Sequence, residues 1–194
     1  MNASSGAVIQ ASGLVKRYGQ VEAVRGIDLE VRHGEIFGFL GPNGAGKSTT
    51  ISILCTLLTP SAGTAKVAGI DVVQDPARVR QRIGLVFQDP SLDDVLTGRE
   101  NLEFHAWIYS VPASERGKRI DEMLVLLQLT DRAGSQVRTY SGGMKRRLEI
   151  ARGMLHQPEI LFLDEPTLGL DPQTRQSIWT HLNELRDTKG IRSS

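Results

Sequence analysis

"GPNGAGKST", residues 41–49, has the pattern G-x-x-x-x-G-K-[ST] of a phosphate-binding loop. The segment before it, IFGFL at residues 36–40, is an unbroken apolar run that predicts a strand buried on both faces. The segment after it, STTISILCTLL at residues 48–58, predicts a buried helix. Glycines let backbone N–H groups turn toward phosphate oxygens, and the helix N-terminus adds partial positive charge. We therefore predict a nucleotide site in which Lys47 reaches the β- and γ-phosphates and Ser48 binds Mg²⁺; the alternative is a glycine-rich turn with a surface lysine.

The composition indicates one large globular domain, or a core domain with a small insertion. The chain has 194 residues, 40 % of them hydrophobic, and its 23 basic and 22 acidic side chains leave a net charge of +1. This balance argues against a dedicated nucleic-acid binder. The single cysteine, Cys55, fits a reducing compartment. The N-terminus lacks the pattern of a signal peptide, and apolar stretches such as ILFL are far shorter than the roughly 20 residues that span a bilayer. We expect a soluble chain that serves a membrane only through a partner.

Strand patterns flank a helical middle, which predicts an α/β fold. GIDLEV at residues 26–31 alternates like a half-exposed antiparallel strand, and GTAKVAGIDV at residues 63–72 predicts short strands around glycine. RIGLVFQ at residues 82–88 and EILFLDE at residues 159–165 are apolar strands, and a last helix begins with Asp171 as its cap.

The middle of the chain predicts helices. Thr97 and Glu100 form a capping box, and apolar residues recur at i, i+3, i+4 and i+7 from Ile120. The predicted division is a core of residues 1–89 and about 141–194, with an antiparallel β part, and an all-helical insertion of residues 90 to about 140.

Two carboxylates at the end of the last apolar strand complement the phosphate loop. Asp164 is placed to hold Mg²⁺ through water, and the alternative is a turn cap before Pro166. Glu165 is placed to orient and deprotonate the attacking water as general base, and the alternative is a solvated loop carboxylate.

A second unusual stretch is TYSGGMKRRLEIARGML at residues 139–155. Ser141 is an ordinary helix cap, but two consecutive glycines at the start of a helix cost stability without adding packing. The basic run at residues 145–147 is interpreted as a solvated helix face.

With these motifs the chain resembles the nucleotide-binding subunit of ABC transporters over roughly residues 8 to 190. The resemblance implies a P-loop NTPase of ABC type, a mixed-sheet core with an antiparallel β subdomain and an all-helical insertion, and the cofactors ATP and Mg²⁺. The motifs that carry it occur in the family's order: the phosphate loop, VFQD with Gln88, YSGGM, ILFLDEP and LGLDP.

The resemblance assigns roles to individual residues. Gln88 contacts the metal and the attacking water, Asp171 crosses a dimer interface, and Tyr18 stacks on adenine unless it is a packing residue of a strand. Ser141, Gly142 and Gly143 contact the γ-phosphate of ATP bound to the other subunit, although tyrosine and methionine end the usual LSGGQ signature here. The implied nucleotide-binding residues are Tyr18, Gly41, Pro42, Asn43, Gly44, Ala45, Gly46, Lys47, Ser48 and Thr49; the implied metal ligands are Ser48, Gln88 and Asp164; the implied catalytic residues are Glu165, Gln88 and Lys47.

Within this family, the sequence looks most similar to prokaryotic exporters of the daunorubicin-resistance type. These pair a nucleotide-binding chain with a separate transmembrane permease. The resemblance therefore implies a head-to-tail homodimer that binds permease subunits on the inner face of the plasma membrane. Residues 93–101 are the expected permease contact, with an ordinary exposed loop as the alternative.

The end of the sequence departs from the family pattern. The family continues with an apolar strand and a histidine that contacts the γ-phosphate, but none of the four histidines, His33, His105, His156 and His181, follows such a strand. We therefore expect a domain incomplete at its C-terminus that binds Mg-ATP and hydrolyses it poorly. The alternatives are a fragment that only binds ATP and an ABC-type ATPase that acts on ribosomes or DNA.

Overall fold

The structure is a computed structural model that describes residues 6–33, 35, 37–39, 42, 44–86, 91–163, 172, 176 and 180. Within this part the strands are β1 (Ala7–Tyr18), β2 (Val21–Arg32), β3 (Ala62–Val67), β4 (Ile70–Asp71), β5 (Ile83–Val86) and β6 (Ile160–Leu163). The α-helices are α1 (Lys47–Leu54), α2 (Pro76–Arg82), α3 (Gly98–Ile108), α4 (Ala113–Leu126) and α5 (Gly142–Met154), and short 3₁₀ turns occupy Thr130–Arg132 and Val137–Thr139.

The first half forms a four-stranded antiparallel sheet in the order β2-β1-β3-β4. The alternating segment in β2 behaves as predicted, since Val31 is buried and Asp28 and Glu30 are exposed. One face of this sheet packs with α1, whose Ile53 and Leu54 are fully buried. The antiparallel β part is therefore confirmed.

A parallel pair, β5 and β6, lies between two hydrophobic cores. Ile160 and Phe162 of β6 join the core formed with the antiparallel sheet, whereas Leu161 joins the core formed with the helices. This two-sided burial explains why both strands read as continuous apolar runs.

The helical part packs around α5. The predicted capping box begins α3, because the Thr97 hydroxyl accepts from the Glu100 N–H and the Glu100 carboxylate accepts from the Thr97 N–H. The predicted face of α4 is buried at Ile120, Met123 and Leu124. The limits of the helical insertion stay a prediction.

The predictions for residues 36–40 and for the last helix have different outcomes. The described residues of the segment 36–40, which are 37–39, are not in a strand, and Phe37 is 40 % exposed with its ring edge-on to Phe39 at 5.2 Å. Residues 172, 176 and 180 are helical and exposed, as one outer face of the predicted last helix requires. Asp171 lies outside the described residues.

A cluster of three rings joins the end of α3 to the end of α5. The Tyr109 ring stacks on His156 at 4.0 Å between centroids and is tilted against His105 at 4.5 Å. His156 Nε2 donates to the Ile83 carbonyl oxygen at 2.9 Å. Burial, helped by the charge of Arg152, lowers the pKa of His105 to about 3, and burial also lowers the pKa of His156. Both imidazoles are therefore neutral in the folded protein near neutral pH.

These buried histidines predict a loss of stability in mild acid. Below a pH of about 6.5, which is the ordinary pKa of histidine, His105 takes up a proton in the unfolded chain but not in the folded protein. The free energy of unfolding therefore falls as the pH drops. From pH 7 to pH 5 we expect a loss of about 2 kcal/mol from His105 alone, measured by urea unfolding. His105→Gln should remove most of this loss, while His33→Gln, at an exposed turn, should retain it. Equal pH dependence in the wild type and His105→Gln would contradict the prediction.

Candidate nucleotide-binding site

The phosphate loop enters α1 through a glycine that packs directly against β2. Gly46 is the N-cap of α1 and has a φ of 81°, in the left-handed region. A Cβ at this position would lie 2.3 Å from the carbonyl oxygen of Ala23 and 3.3 Å from a methyl carbon of Val24. Only glycine fits both the dihedral angle and the space.

The N-terminus of α1, which carries the positive end of the helix dipole, is not neutralised by a side chain of its own. Gly46 supplies no side-chain cap, and the first turn of α1, which the structure describes in full, contains no acidic residue. The Thr50 N–H and hydroxyl both donate to the Gly46 carbonyl oxygen at 2.8 Å, which anchors the turn, and Ser48 is exposed. An uncapped helix start of this kind suits a phosphate group.

Lys47 folds back over the loop. Its Nζ donates to the Pro42 carbonyl oxygen at 2.9 Å, and the Ala45 N–H donates to the same oxygen at 3.2 Å. The ammonium group is thereby held at the loop, next to the start of α1. This position brings together the cation and the helix dipole that a triphosphate requires.

A cavity of about 510 Å³ lies between the loop and β2. It is lined by Phe37, Phe39, Gly44, Ala45 and Lys47, and by residues of β2. Its size falls within the range of small-molecule sites, which runs from about 300 to 1,000 Å³.

Tyr18 presents an accessible ring at the end of β1. It pairs with Val21 of β2, it is 48 % exposed, and the Lys16 ammonium lies 5.3 Å from the ring centroid. A ring exposed to this degree is not a packing residue of the core.

Helix α5 also begins with a glycine, Gly142, and contacts within the described chain do not require it. The Ser141 hydroxyl caps α5 by accepting from the Met144 N–H at 3.3 Å. Gly142 is exposed, and a Cβ there would meet nothing within 4 Å. The glycine at 142 is therefore not required by packing within the described chain, in contrast to Gly46.

The interpretation of the basic run at residues 145–147 as a solvated helix face is wrong. Arg146 is only 5 % exposed, and Arg147 donates to the Leu127 carbonyl oxygen at 3.1 Å. Lys145 pairs with Asp94 at 2.7 Å. The physical reason is that α5 lies against the end of α4, where terminal carbonyl groups need donors.

Several predicted site residues lie outside the described residues: Gly41, Asn43, Gln88, Asp164, Glu165 and Asp171. The strands that precede two of them end in register, with Val86 of β5 opposite Leu163 of β6. Among the residues that the structure describes, no group of three or more His, Cys, Asp or Glu side chains is arranged for a metal ion. Ser48, exposed in the first turn of α1, is the predicted Mg²⁺ ligand within that part, and its hydroxyl oxygen is a donor that Mg²⁺ accepts.

The fold, with a phosphate loop leading into a helix between an antiparallel and a parallel sheet, is that of a P-loop nucleotide-binding protein. The family model described as ABC transporter matches residues 24–168. The chain belongs to this family of ATPases.

Individual relatives agree with this assignment. The daunorubicin resistance ATP-binding protein DrrA3 of Streptomyces coeruleorubidus is 47 % identical over 177 residues, which cover 91 % of this chain and 56 % of that protein. The structure of CbiO1 from Clostridium perfringens, part of the ABC transporter complex cbiONQ, superposes with a TM-score of 0.87 at 30 % identity and covers 97 % of this chain and 77 % of that one. The dimeric ATP-binding cassette MJ0796 in a post-hydrolysis state with ADP and Pi gives a TM-score of 0.82 at 28 % identity and covers 95 % and 85 %.

The chain spans about half the length of the curated relatives that it matches, between 52 % and 59 %. In the part of the chain that the structure describes, none of the helices combines the length and the apolar character needed to cross a membrane.

The close approach at Gly46 predicts a stability effect that its neighbour Gly44 does not share. Both glycines have positive φ, but a Cβ at Gly44 would meet nothing within 4 Å. We expect Gly44→Ala to lower the free energy of unfolding by about 1 kcal/mol through the dihedral angle alone. Gly46→Ala adds the clash with Ala23 and should cost about 3 kcal/mol, measured by urea unfolding. Equal losses in the two variants would show that the loop does not rest on β2.

Proposed function

We propose that this chain is the ATP-binding part of a subunit that powers a membrane exporter and that two such subunits sandwich ATP head to tail. The observation that carries the proposal is the start of α5, where Ser141 caps the helix and open space faces Gly142. A backbone kept bare toward open space suits an anion that a second chain presents.

The proposed ATP site lies at the start of α1. The loop residues 41–49 surround the phosphates, Lys47 neutralises the β- and γ-phosphates, and Ser48 binds Mg²⁺ together with Gln88 and Asp164. Bound Mg²⁺ would neutralise charge on the phosphate oxygens. Glu165 orients and deprotonates the attacking water.

The adenine is proposed to stack on Tyr18. The exposed ring supports this role, because an accessible aromatic ring offers a flat apolar surface to a base. The partner chain contributes Ser141, Gly142 and Gly143 to the γ-phosphate, and Asp171 to the dimer interface.

The proposed cargo is a drug-like, antibiotic or lipid-like molecule that a separate permease binds. The support is the similarity to a daunorubicin resistance ATP-binding protein. The proposed assembly is a homodimer on two permease subunits, at the cytoplasmic face of the plasma membrane. The similarity to CbiO1, which is part of a transporter complex, supports a partner of this kind.

The permease contact is proposed to involve the exposed face of α3 and the loop before it. Residues 93–95 are exposed, with Val95 at 69 %, whereas Asn101 at the end of the expected contact is buried. On α3, Phe104, Trp107 and Ile108 form an exposed apolar stripe at i, i+3 and i+4. Such a stripe suits an apolar partner helix.

The ATP sandwich predicts that Gly142→Ala separates stability from dimerisation in the full-length protein. The alanine meets no atom within 4 Å and favours the helix, so stability should be unchanged or higher by up to about 1 kcal/mol. Mg-ATP should still bind, but the ATP-dependent dimer, measured by analytical ultracentrifugation, should be lost. Lys47→Ala should lose Mg-ATP binding itself.

The matched control is Gly117→Ala, because Gly117 lies within α4 and also has open space at its Cβ position. It should keep both Mg-ATP binding and the ATP-dependent dimer. An ATP-dependent dimer that persists in Gly142→Ala would contradict the sandwich.

The permease contact predicts that Trp107→Ser weakens co-purification with the permease and leaves Mg-ATP binding intact. Trp107 is 70 % exposed, so the substitution removes apolar surface without opening a core. Val73→Ser, at a residue that is 52 % exposed outside α3, is the control and should co-purify normally. Unchanged co-purification of Trp107→Ser would exclude this face.

A further inference from the structure

Helix α5 carries a carboxylate that is fully buried. Glu149, eight residues after Ser141, has no exposed surface. A buried carboxylate is costly unless hydrogen bonds and an opposite charge compensate it. Glu149 Oε1 accepts from the Ser91 N–H at 2.6 Å, and Oε2 pairs with Arg152 Nη2 at 2.8 Å. The buried charge is therefore compensated by the Ser91 N–H and by Arg152. Ser91 lies in the segment that follows β5.

Arg152 holds the same loop residue from its other side. Its Nη1 donates to the Ser91 carbonyl oxygen at 2.7 Å, and its Nη2 donates to the Ser91 hydroxyl. The N–H, the carbonyl and the hydroxyl of Ser91 are all engaged by α5. We call Glu149, Arg152 and Ser91 the Ser91 clamp.

Other residues of the segment 91–96 are hydrogen-bonded to α3, to α5 and to Val137. The Asn101 side chain accepts from the Asp93 N–H at 2.9 Å and donates to the Asp93 carbonyl oxygen at 3.0 Å. Lys145 of α5 pairs with Asp94, and the Val137 N–H donates to the Leu96 carbonyl oxygen at 2.9 Å. Ser91, Asp93, Asp94 and Leu96 are therefore all hydrogen-bonded to α3, to α5 or to Val137.

The clamp does not serve apolar packing. Leu148, Ile150 and Ala151 of α5 are fully buried in the helical core. An apolar residue at position 149 could fill the same space without the desolvation cost of a carboxylate. What the charged pair adds is direction, because hydrogen bonds to the N–H and to the carbonyl oxygen of one residue fix its position and orientation.

Burial raises the pKa of the Glu149 carboxyl, while Arg152, the Ser91 N–H and Arg146 oppose the rise. These opposing groups lie on α5 and at Ser91, so the geometry of the clamp offsets part of the cost of burying the carboxylate.

We propose that Glu149 and Arg152 are positioning residues that fix Ser91, close to Gln88 in the sequence, to the helix that begins directly after Ser141. Ser91 is three residues after Gln88 in the sequence, and α5 begins directly after Ser141. A displacement of the α5 N-terminus by ATP on a partner chain is then transmitted through the clamp to Ser91, three residues from Gln88 in the sequence. The inference rests on the proposed ATP-sandwich function.

The test is Glu149→Gln in the full-length protein, which keeps the size of the side chain and removes its charge. Amide hydrogen exchange of residues 91–96 without nucleotide should become about tenfold faster, because the charged acceptor of the Ser91 N–H is lost. The kcat for ATP hydrolysis should fall about tenfold, while the KM for ATP stays within about twofold, because neither residue lies in the phosphate loop. A role in stability alone would not separate kcat from KM.

The matched control is Asp121→Asn, the same exchange of carboxylate for amide at an exposed ion pair with Arg99 between α3 and α4. It should change neither the exchange of residues 91–96 nor kcat. If Glu149→Gln fails to fold, Arg152→Lys replaces it with the same expectations, since one ammonium group cannot hold the Ser91 carbonyl oxygen and Glu149 in the same geometry.

Unchanged exchange of residues 91–96 in the variant would overturn the clamp, and faster exchange with unchanged kcat would overturn its positioning role. A wild type that binds no Mg-ATP would overturn the proposed function and this inference together. That outcome is distinguishable from a failure of the inference alone, because the wild type, the variant and the control would then all fail to bind Mg-ATP, while only the variant would show faster hydrogen exchange.

Discussion

The parallel pairing of β5 with β6 is the constraint on which the rest of the molecule depends. Each strand has four residues and is buried on both faces, so alternate side chains supply two different cores. Because the strands run parallel and end in register, the chain leaves both at the same edge. Gln88 and Asp164, to which the resemblance assigns metal contacts, follow these ends in the sequence.

Two helices begin with glycine for different physical reasons. At Gly46 the cause is internal, since the backbone of β2 occupies the place of a side chain. At Gly142 the space is open, so the cause must be sought outside the described chain. Gly117 of α4 also has open space at its Cβ position, so what distinguishes Gly142 is its place next to the Ser141 cap at a helix N-terminus, which suits an anion.

Elements that depend on local patterns were predictable from the sequence, and contacts between distant segments were not. The capping box at Thr97 and the buried face beginning at Ile120 follow from spacing within one helix, and the structure confirms both. The phosphate loop was recognisable because its residues are consecutive. The stretch KRRLEIAR reads as an ordinary polar helix face, since nothing in it shows that the carbonyl groups of α4 and the loop at Ser91 lie opposite. The limits of the helical insertion depend on such contacts too.

The polar groups buried along α5 distinguish this helix from one held by apolar contacts alone. Arg147 reaches carbonyl groups at the end of α4, Glu149 and Arg152 reach Ser91, and His156 beyond the helix end reaches Ile83 of β5. An apolar contact tolerates sliding, whereas a hydrogen bond with a buried charge loses much of its energy when the partner shifts by an ångström. The helix is therefore bound in register to α4, to the loop after β5 and to β5 itself. Because Arg147, Glu149 and Arg152 share one helix, a shift of α5 along its axis would strain its hydrogen bonds to α4 and to Ser91 together.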